Sequence, residues 1–426
     1  MIRFFNGRIL CFSDGAVTVN DGEVWVDGGS ICHVGKCPQE LPTFEREIDL
    51  DGDLLMPGFK NAHTHSCMTF LRSLADDMPL DKWLNEQVWP NEAKLDGDAA
   101  YVMAKLAIME YLSSGITASF DMYFHNDSYI KANIDSGFRT VLCGDMNDFD
   151  KNYRDLEGKF LRYNGMHELI SYRLGFHGEY TTSKERLEFV AELADKYRAP
   201  VFTHLAETKA EVQGCIERWG VTPAKLLDGM GMFNYGGGGF HCVWMSDEDI
   251  DIFARRGLFA VLNPASNLKL ASGIAPAAEF LRRGVRLAIG TDGAGSNNAL
   301  DMFREMYLAA VLGKYKECDA AAVDALEILK AACVGGAEAM GLYDCNAVAV
   351  GKKADLTVIN MHKPNMHPFN NIAKNIVYSG SKDNIRLTMV NGKILYENGE
   401  YFIGDEPERI YAEAEKIMEV IRPLKR

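Results

Sequence analysis

Residues 58–65 read GFKNAHTH, a short apolar run that stops at two histidines one residue apart. Seven more runs of this kind follow. They are GITASFDMYF (115–124), RTVLCGDM (139–146), SYRLGFHG (171–178), APVFTHLAE (199–207), GGFHCVW (238–244), GLFAVLNP (257–264) and VRLAIGTDG (285–293). Helix-period segments lie between them, such as DAAYVMAKLAIMEYLSSG (98–115) and SKERLEFVAELADKYRA (183–199). Strands buried on both faces read as continuous apolar runs, and their alternation with helices marks β-α-β units. Eight repeats predict an α/β fold, a (β/α)8 TIM barrel over residues 56–348, whose active site lies where the strands end.

What closes each run is therefore informative. The first ends in His63 and His65, the fourth in His177, the fifth in His204 with Glu207 three residues on, the sixth in His241 and the eighth in Asp292. Five of the ten histidines fall at one mouth. Singly, each has a plain reading: His204 after an apolar triplet is a core histidine, and Asp292 in a Gly-rich turn is a helix cap. Together they are the imidazole and carboxylate set that a catalytic Zn²⁺ or Fe²⁺ uses. The alternating geometry of a strand sends both members of His63-Thr64-His65 to one face.

Outside the barrel, the first 55 residues alternate apolar and polar positions, with Asp-Gly at 14–15, 21–22 and 27–28 as hairpin signals. The texture returns at residues 349–404, with Asn391-Gly392 and Asn398-Gly399 at turns. These two ends (1–55 and 349–404) are expected to form one small composite β-sandwich. Residues 405–426 read as an amphipathic C-terminal helix packed on the barrel. The 426 residues carry a net charge of −15, with no basic stripe and no apolar run of membrane-spanning length. That excludes nucleic acid and membrane as expected partners. Ten scattered cysteines and no signal-peptide pattern point to reduced thiols in a cytoplasmic protein.

The segments LMPGFKNAHTH, THLAET, FHCVWMSDEDI, LNPASNLKLASGIAP and AIGTDGAGSNNALDMFREM resemble the amidohydrolase superfamily. Within it they resemble the branch of 5-methylthioadenosine/S-adenosylhomocysteine deaminases and triazine chlorohydrolases. The resemblance implies one divalent metal, zinc or iron, held by His63, His65, His204 and Asp292. The place where two-metal relatives carry a bridging lysine reads GFHGEYTTS, with His177 and no lysine. It further implies a homo-oligomer that deaminates an adenine nucleoside. Glu92, in WLNEQVWPNEAKL, would hold the ribose hydroxyls, His177 the purine, and Ser296 would lie near the ring. Asp292 would accept the proton of the attacking water, His241 would orient that water, and Glu207 would protonate the ring nitrogen. Cys143 stands where relatives that take a carboxylate tail carry an arginine, and Arg154 is the candidate for a second. Adenosine, 5′-deoxyadenosine and methylthioadenosine thus stand beside S-adenosylhomocysteine as substrates. Guanine, a pterin, cytosine or a chloro-triazine is the alternative ring, and a non-catalytic scaffold the remote one.

Overall fold

The structure, a computed structural model, describes residues 1–13, 16–74, 76–79 and 82–422. Five strands come first: β1 (Ile2–Ser13), β2 (Ala16–Asp27), β3 (Ser30–Gly35), β4 (Arg46–Asp49) and β5 (Leu54–Pro57). Eight barrel strands follow: β6 (Phe59–Thr64), β7 (Ile116–Asp121), β8 (Arg139–Cys143), β9 (Ile170–Gly178), β10 (Val201–Leu205), β11 (Gly237–His241), β12 (Phe259–Leu262) and β13 (Arg286–Ile289). The last four are β14 (Leu356–Ile359), β15 (Ile385–Val390), β16 (Lys393–Glu397) and β17 (Glu400–Tyr401).

All eight apolar runs are strands. They lie in sequence order from β6 to β13, each pairing in parallel with the next. Inside, Phe120, Phe202, Phe240 and Phe259 fill the barrel with buried rings. Phe120 meets Phe202 and Phe240 edge-on, with centroids 4.9 and 5.6 Å apart. This apolar floor lies beneath the strand ends that carry the histidines. The ring closes from β13 back to β6 through Asn61, whose Oδ1 accepts from Thr291 N (2.8 Å) and whose Nδ2 donates to Thr291 Oγ1 (2.7 Å).

The chain ends build a separate sheet in the order β17-β16-β15-β14-β5-β1-β2-β3, with β4 also on β1. The two ends meet where β5 and β14 pair antiparallel, Leu54 opposite Ile359 and Pro57 opposite Leu356. Asn391-Gly392 and Asn398-Gly399 turn the hairpins, with all four φ angles positive as a type I′ turn requires. Asp27-Gly28 also turns, between β2 and β3. Asp21-Gly22 does not. It lies inside β2 opposite Arg8 and Gly7, next to a bulge in β1, and its glycine answers to packing: a Cβ there would come within 2.9 Å of Ile9 Cδ1. The Asp14-Gly15 pair lies outside the described residues.

The C-terminal helix, Pro407–Ile421, buries Ile410, Ala414 and Ile421. It packs on the barrel helix Gly97–Ser113. No helix of the described residues is long and apolar enough to cross a membrane. All ten cysteines are free thiols.

A buried ion pair ties the bottom of the barrel to the terminal sheet. Arg139, which opens β8, donates from Nε and Nη2 to the two Asp355 oxygens at 2.6 and 3.0 Å, and Asp355 Oδ1 also accepts from Asn391 N (2.8 Å). Removing one partner leaves the other charge buried and alone. Asp355→Ala is therefore expected to cost about 3–5 kcal/mol, measured as a lower free energy of unfolding in urea.

Candidate active site

The site begins with how β6 and β13 meet. Asp292 N donates to His63 O (2.9 Å), and Thr64 Oγ1 donates to Asp292 O (3.1 Å). Gly290 permits that approach, because a Cβ there would lie 2.6 Å from His63 N and 2.7 Å from His63 O. Three strand ends then leave extended geometry on residues with positive φ: Ala206 (50°), His241 (75°) and Asp292 (58°). Non-glycine residues adopt that region at a cost and only where the surroundings enforce it. Here it turns the side chains inward over the barrel floor. The His63 ring stacks on Phe240 with centroids 3.9 Å apart.

The hydrogen bonds fix which nitrogen faces the centre. Nδ1 of His65 donates to Met122 O (2.6 Å), Nδ1 of His204 to His177 O (2.6 Å) and Nδ1 of His241 to Asn267 Oδ1 (2.7 Å). These oxygens only accept, so Nδ1 is the protonated nitrogen of each neutral ring and Nε2 is the one that can offer a lone pair; against the opposing effect of burial, Asp292 raises His65 to about 9. His65 Nε2 and His204 Nε2 then lie 3.4 Å apart. Asp292 Oδ1 lies 3.3 Å from His65 Nε2 and 3.6 Å from His63 Nε2. His63 is fully buried, and neither of its ring nitrogens has a hydrogen bond. Lone pairs and a carboxylate crowded on one point repel each other unless a cation sits among them. His63, His65, His204 and Asp292 thus fit a divalent metal by chemistry as well as distance. His241 stands equally near: its ligand atom and those of His63 and His204 lie within 4.8 Å of one another.

Burial pushes His63 down to about 3 and His204 well below the ordinary histidine range, which keeps both neutral. Burial also opposes a charge on Asp292, but the histidines around it outweigh that and hold its carboxyl well below the usual range. Glu207 goes the other way. It is buried, its Oε2 is 3.9 Å from His241 Nε2, and burial raises its pKa. Two carboxyl groups at one centre are thus shifted in opposite directions, Asp292 down and Glu207 up.

The centre opens into a cavity of about 680 Å³, a size that suits a small ligand. His65, Glu92, His177, His204, Glu207, His241, Asp292 and Ser296 all line it, with His63 beneath. The structure therefore brings together every residue expected to hold the metal, the purine and the ribose. Ser296 gives its hydroxyl to Asp292 Oδ2 (2.9 Å). His177 places Nδ1 2.9 Å from Thr181 Oγ1 while its carbonyl anchors His204. Cys143 and Arg154 stand apart from the cavity. The Cys143 thiol packs into the barrel interior, and Arg154 is exposed beside Glu185 and Tyr153. Among the described lining residues Lys159 is the one lysine or arginine, 3.9 Å from Asp145.

Several supporting residues were not foreseen. Ser266 donates to Asp292 Oδ2 (2.6 Å), and Asn267 sets His241. Glu211 accepts from the backbone N–H of Ala206 (2.7 Å) and Glu207 (2.8 Å), fixing the loop that carries Glu207. The Thr208-x-x-Glu211 capping box was its available signal. Glu305 staples the loops after β12 and β13, accepting from Ala265 N (3.1 Å) and Asn297 Nδ2 (2.7 Å).

Residues 54–395 match the model of the amidohydrolase family. This chain belongs to that family. The amidohydrolase is 41% identical over 377 residues to a 5′-deoxyadenosine deaminase of Methanopyrus kandleri, covering 87% of this chain and 88% of the relative. It is 37% identical over 425 residues to a 5-methylthioadenosine/S-adenosylhomocysteine deaminase of Caldicellulosiruptor saccharolyticus, covering 99% of both. Its fold is similar to that of an adenosine deaminase from Xanthomonas campestris solved with bound zinc, with a TM-score of 0.94, 31% identity and 99% of both chains covered. The family is metal-dependent, and the histidine cluster is consistent with that.

Glu305 gives this site a measurable pH signature. Burial raises its carboxyl from the ordinary value of 4.5 to about 8. Between those values the folded chain holds a proton that the unfolded chain has lost, so this contribution to stability is full below 4.5 and disappears as pH climbs through about 8. Unfolding free energy of the wild type should fall from pH 5 to pH 8. In Glu305→Gln the slope should be visibly flatter, as read from urea titrations across that range.

Proposed function

We propose that this amidohydrolase removes the 6-amino group of an adenine nucleoside by hydrolysis, giving the inosine analogue and ammonia. The observation that carries the reading is the placement of Glu207. A buried carboxyl whose pKa burial raises stands beside His241 and the converging Nε2 atoms, inside a cavity that also contains Glu92. Deaminase-named relatives over most of the chain support the same chemistry.

His63, His65, His204 and Asp292 would hold a Zn²⁺, with Fe²⁺ the alternative, which would supply Lewis acidity that brings the pKa of water toward neutrality. Zinc is favoured by the histidine and carboxylate donor set and by the zinc in the Xanthomonas relative. Asp292, ionised and steadied by Ser266 and Ser296, takes the proton released by water. His241, fixed by Asn267, orients the oxygen that attacks C6. Glu207 donates its proton to the ring nitrogen beside C6, which offsets the loss of aromaticity on attack. Asp292 then passes its proton to the amino nitrogen, the C6–N bond breaks and ammonia leaves, and the C6 hydroxyl returns a proton to Glu207, so that C6 keeps the oxygen from water as a carbonyl. His177 faces the purine and Glu92 the ribose hydroxyls.

The cavity favours a small 5′ substituent over a carboxylate tail, because neither Cys143 nor Arg154 presents a cation to it and Lys159, which does line it, faces Asp145 at 3.9 Å. Adenosine, 5′-deoxyadenosine and methylthioadenosine are thus preferred to S-adenosylhomocysteine. The proposed setting is a cytoplasmic homo-oligomer, and ten free thiols suit a reducing compartment.

Ammonia release from 5′-deoxyadenosine tests the proposal directly. The wild type should turn it over, while Glu207→Gln should retain metal and lose about 10²–10⁴-fold in kcat. A Glu207→Gln protein with full turnover would remove the proposed acid, and turnover confined to guanine or cytosine would reassign the substrate.

A further inference from the structure

Tyr123 lies two residues past β7 and lines the same cavity. It is only 3% exposed, yet no described residue meets its hydroxyl within 3.5 Å in hydrogen-bonding geometry, and Glu92 touches it only through a longer contact. A buried polar group without a partner is costly and rare, so each one calls for an explanation. The ring is held in place by stacking on Phe124, with centroids 4.4 Å apart and planes 25° from parallel. Glu92 reaches the same spot from the helix Trp89–Glu92. The two groups feel each other. After burial, the charge of Glu92 is the largest influence keeping the Tyr123 hydroxyl protonated, and burial pushes Glu92 up to about 7.

We propose that Tyr123 is a specificity residue that, together with Glu92, binds the vicinal hydroxyls of a ribose ring. The inference rests on the nucleoside reading and deepens it. A phenol both donates and accepts, whereas an ionised carboxylate only accepts. Side by side they complement a cis-diol, in which each hydroxyl has a proton to give and lone pairs to receive. An anionic ligand group does not suit the spot, because Glu92 and Asp145 both line the wall there. The stacked ring loses little freedom on binding, so the hydroxyl is ready for use.

The test pairs one side-chain deletion with single-hydroxyl deletions in the substrate. Tyr123→Phe and wild type are compared for kcat/KM on 5′-deoxyadenosine, 2′,5′-dideoxyadenosine and 3′,5′-dideoxyadenosine. The variant should lose about 10-fold on 5′-deoxyadenosine, the worth of one neutral hydrogen bond. On the analogue lacking the contacted hydroxyl the two proteins should be equal. Metal content should be unchanged and Tm little changed, because Tyr123→Phe removes no hydrogen bond of normal length within the protein. Equal loss on all three substrates, or no loss on any, overturns the inference while leaving the nucleoside reading intact. A wild type inactive on all three overturns both.

Discussion

The hydrogen bond from Asp292 N to His63 O closes the barrel, and the chemistry depends on it. It joins the first barrel strand to the last across more than two hundred residues. Without it, His63 and His65 would sit at one end of an open sheet and Asp292 at the other. Gly290 lets the two backbones touch, and Asn61 with Thr291 locks the register. The positive φ of Asp292 follows from the same closure, since the chain must turn inward as it leaves β13. Barrel closure and the donor set are one construction.

Burial then divides the labour. The phenylalanine floor and enclosing loops take the histidines and carboxylates out of water, where a charge survives only with a partner. Asp292 has partners in His63, His65, Ser266 and Ser296 and stays ionised. Among the described residues Glu207 has a distant His241 and a 3.5 Å contact from Ser272, too little to offset burial, so its pKa is raised. The acceptor oxygens of Met122, His177 and Asn267 choose the tautomers and aim the lone pairs.

Much of this was legible in the sequence. The eight apolar runs and their terminal histidines depend on local pattern, which one strand records by itself. Five histidines at strand ends gave the centre, because a parallel barrel puts every such end on one rim. Asn267, Ser266 and Glu305 were not legible, since each acts through a contact with a residue from another loop and carries no signature of its own. Tyr123 reads as ordinary strand-end aromatic matter until its hydroxyl is seen without a partner. Asp21-Gly22 misled because the same dipeptide serves turns and bulges, and only the register opposite Gly7 distinguishes them.

The central claim is that these Nε2 atoms and Asp292 converge on one ion. X-ray absorption at the metal edge, with metal analysis of protein purified without chelator, tests it most directly. One ion per chain is expected, in a nitrogen and oxygen environment with histidine scattering and no sulfur. Two ions per chain, none, or a thiolate in the coordination sphere would contradict it.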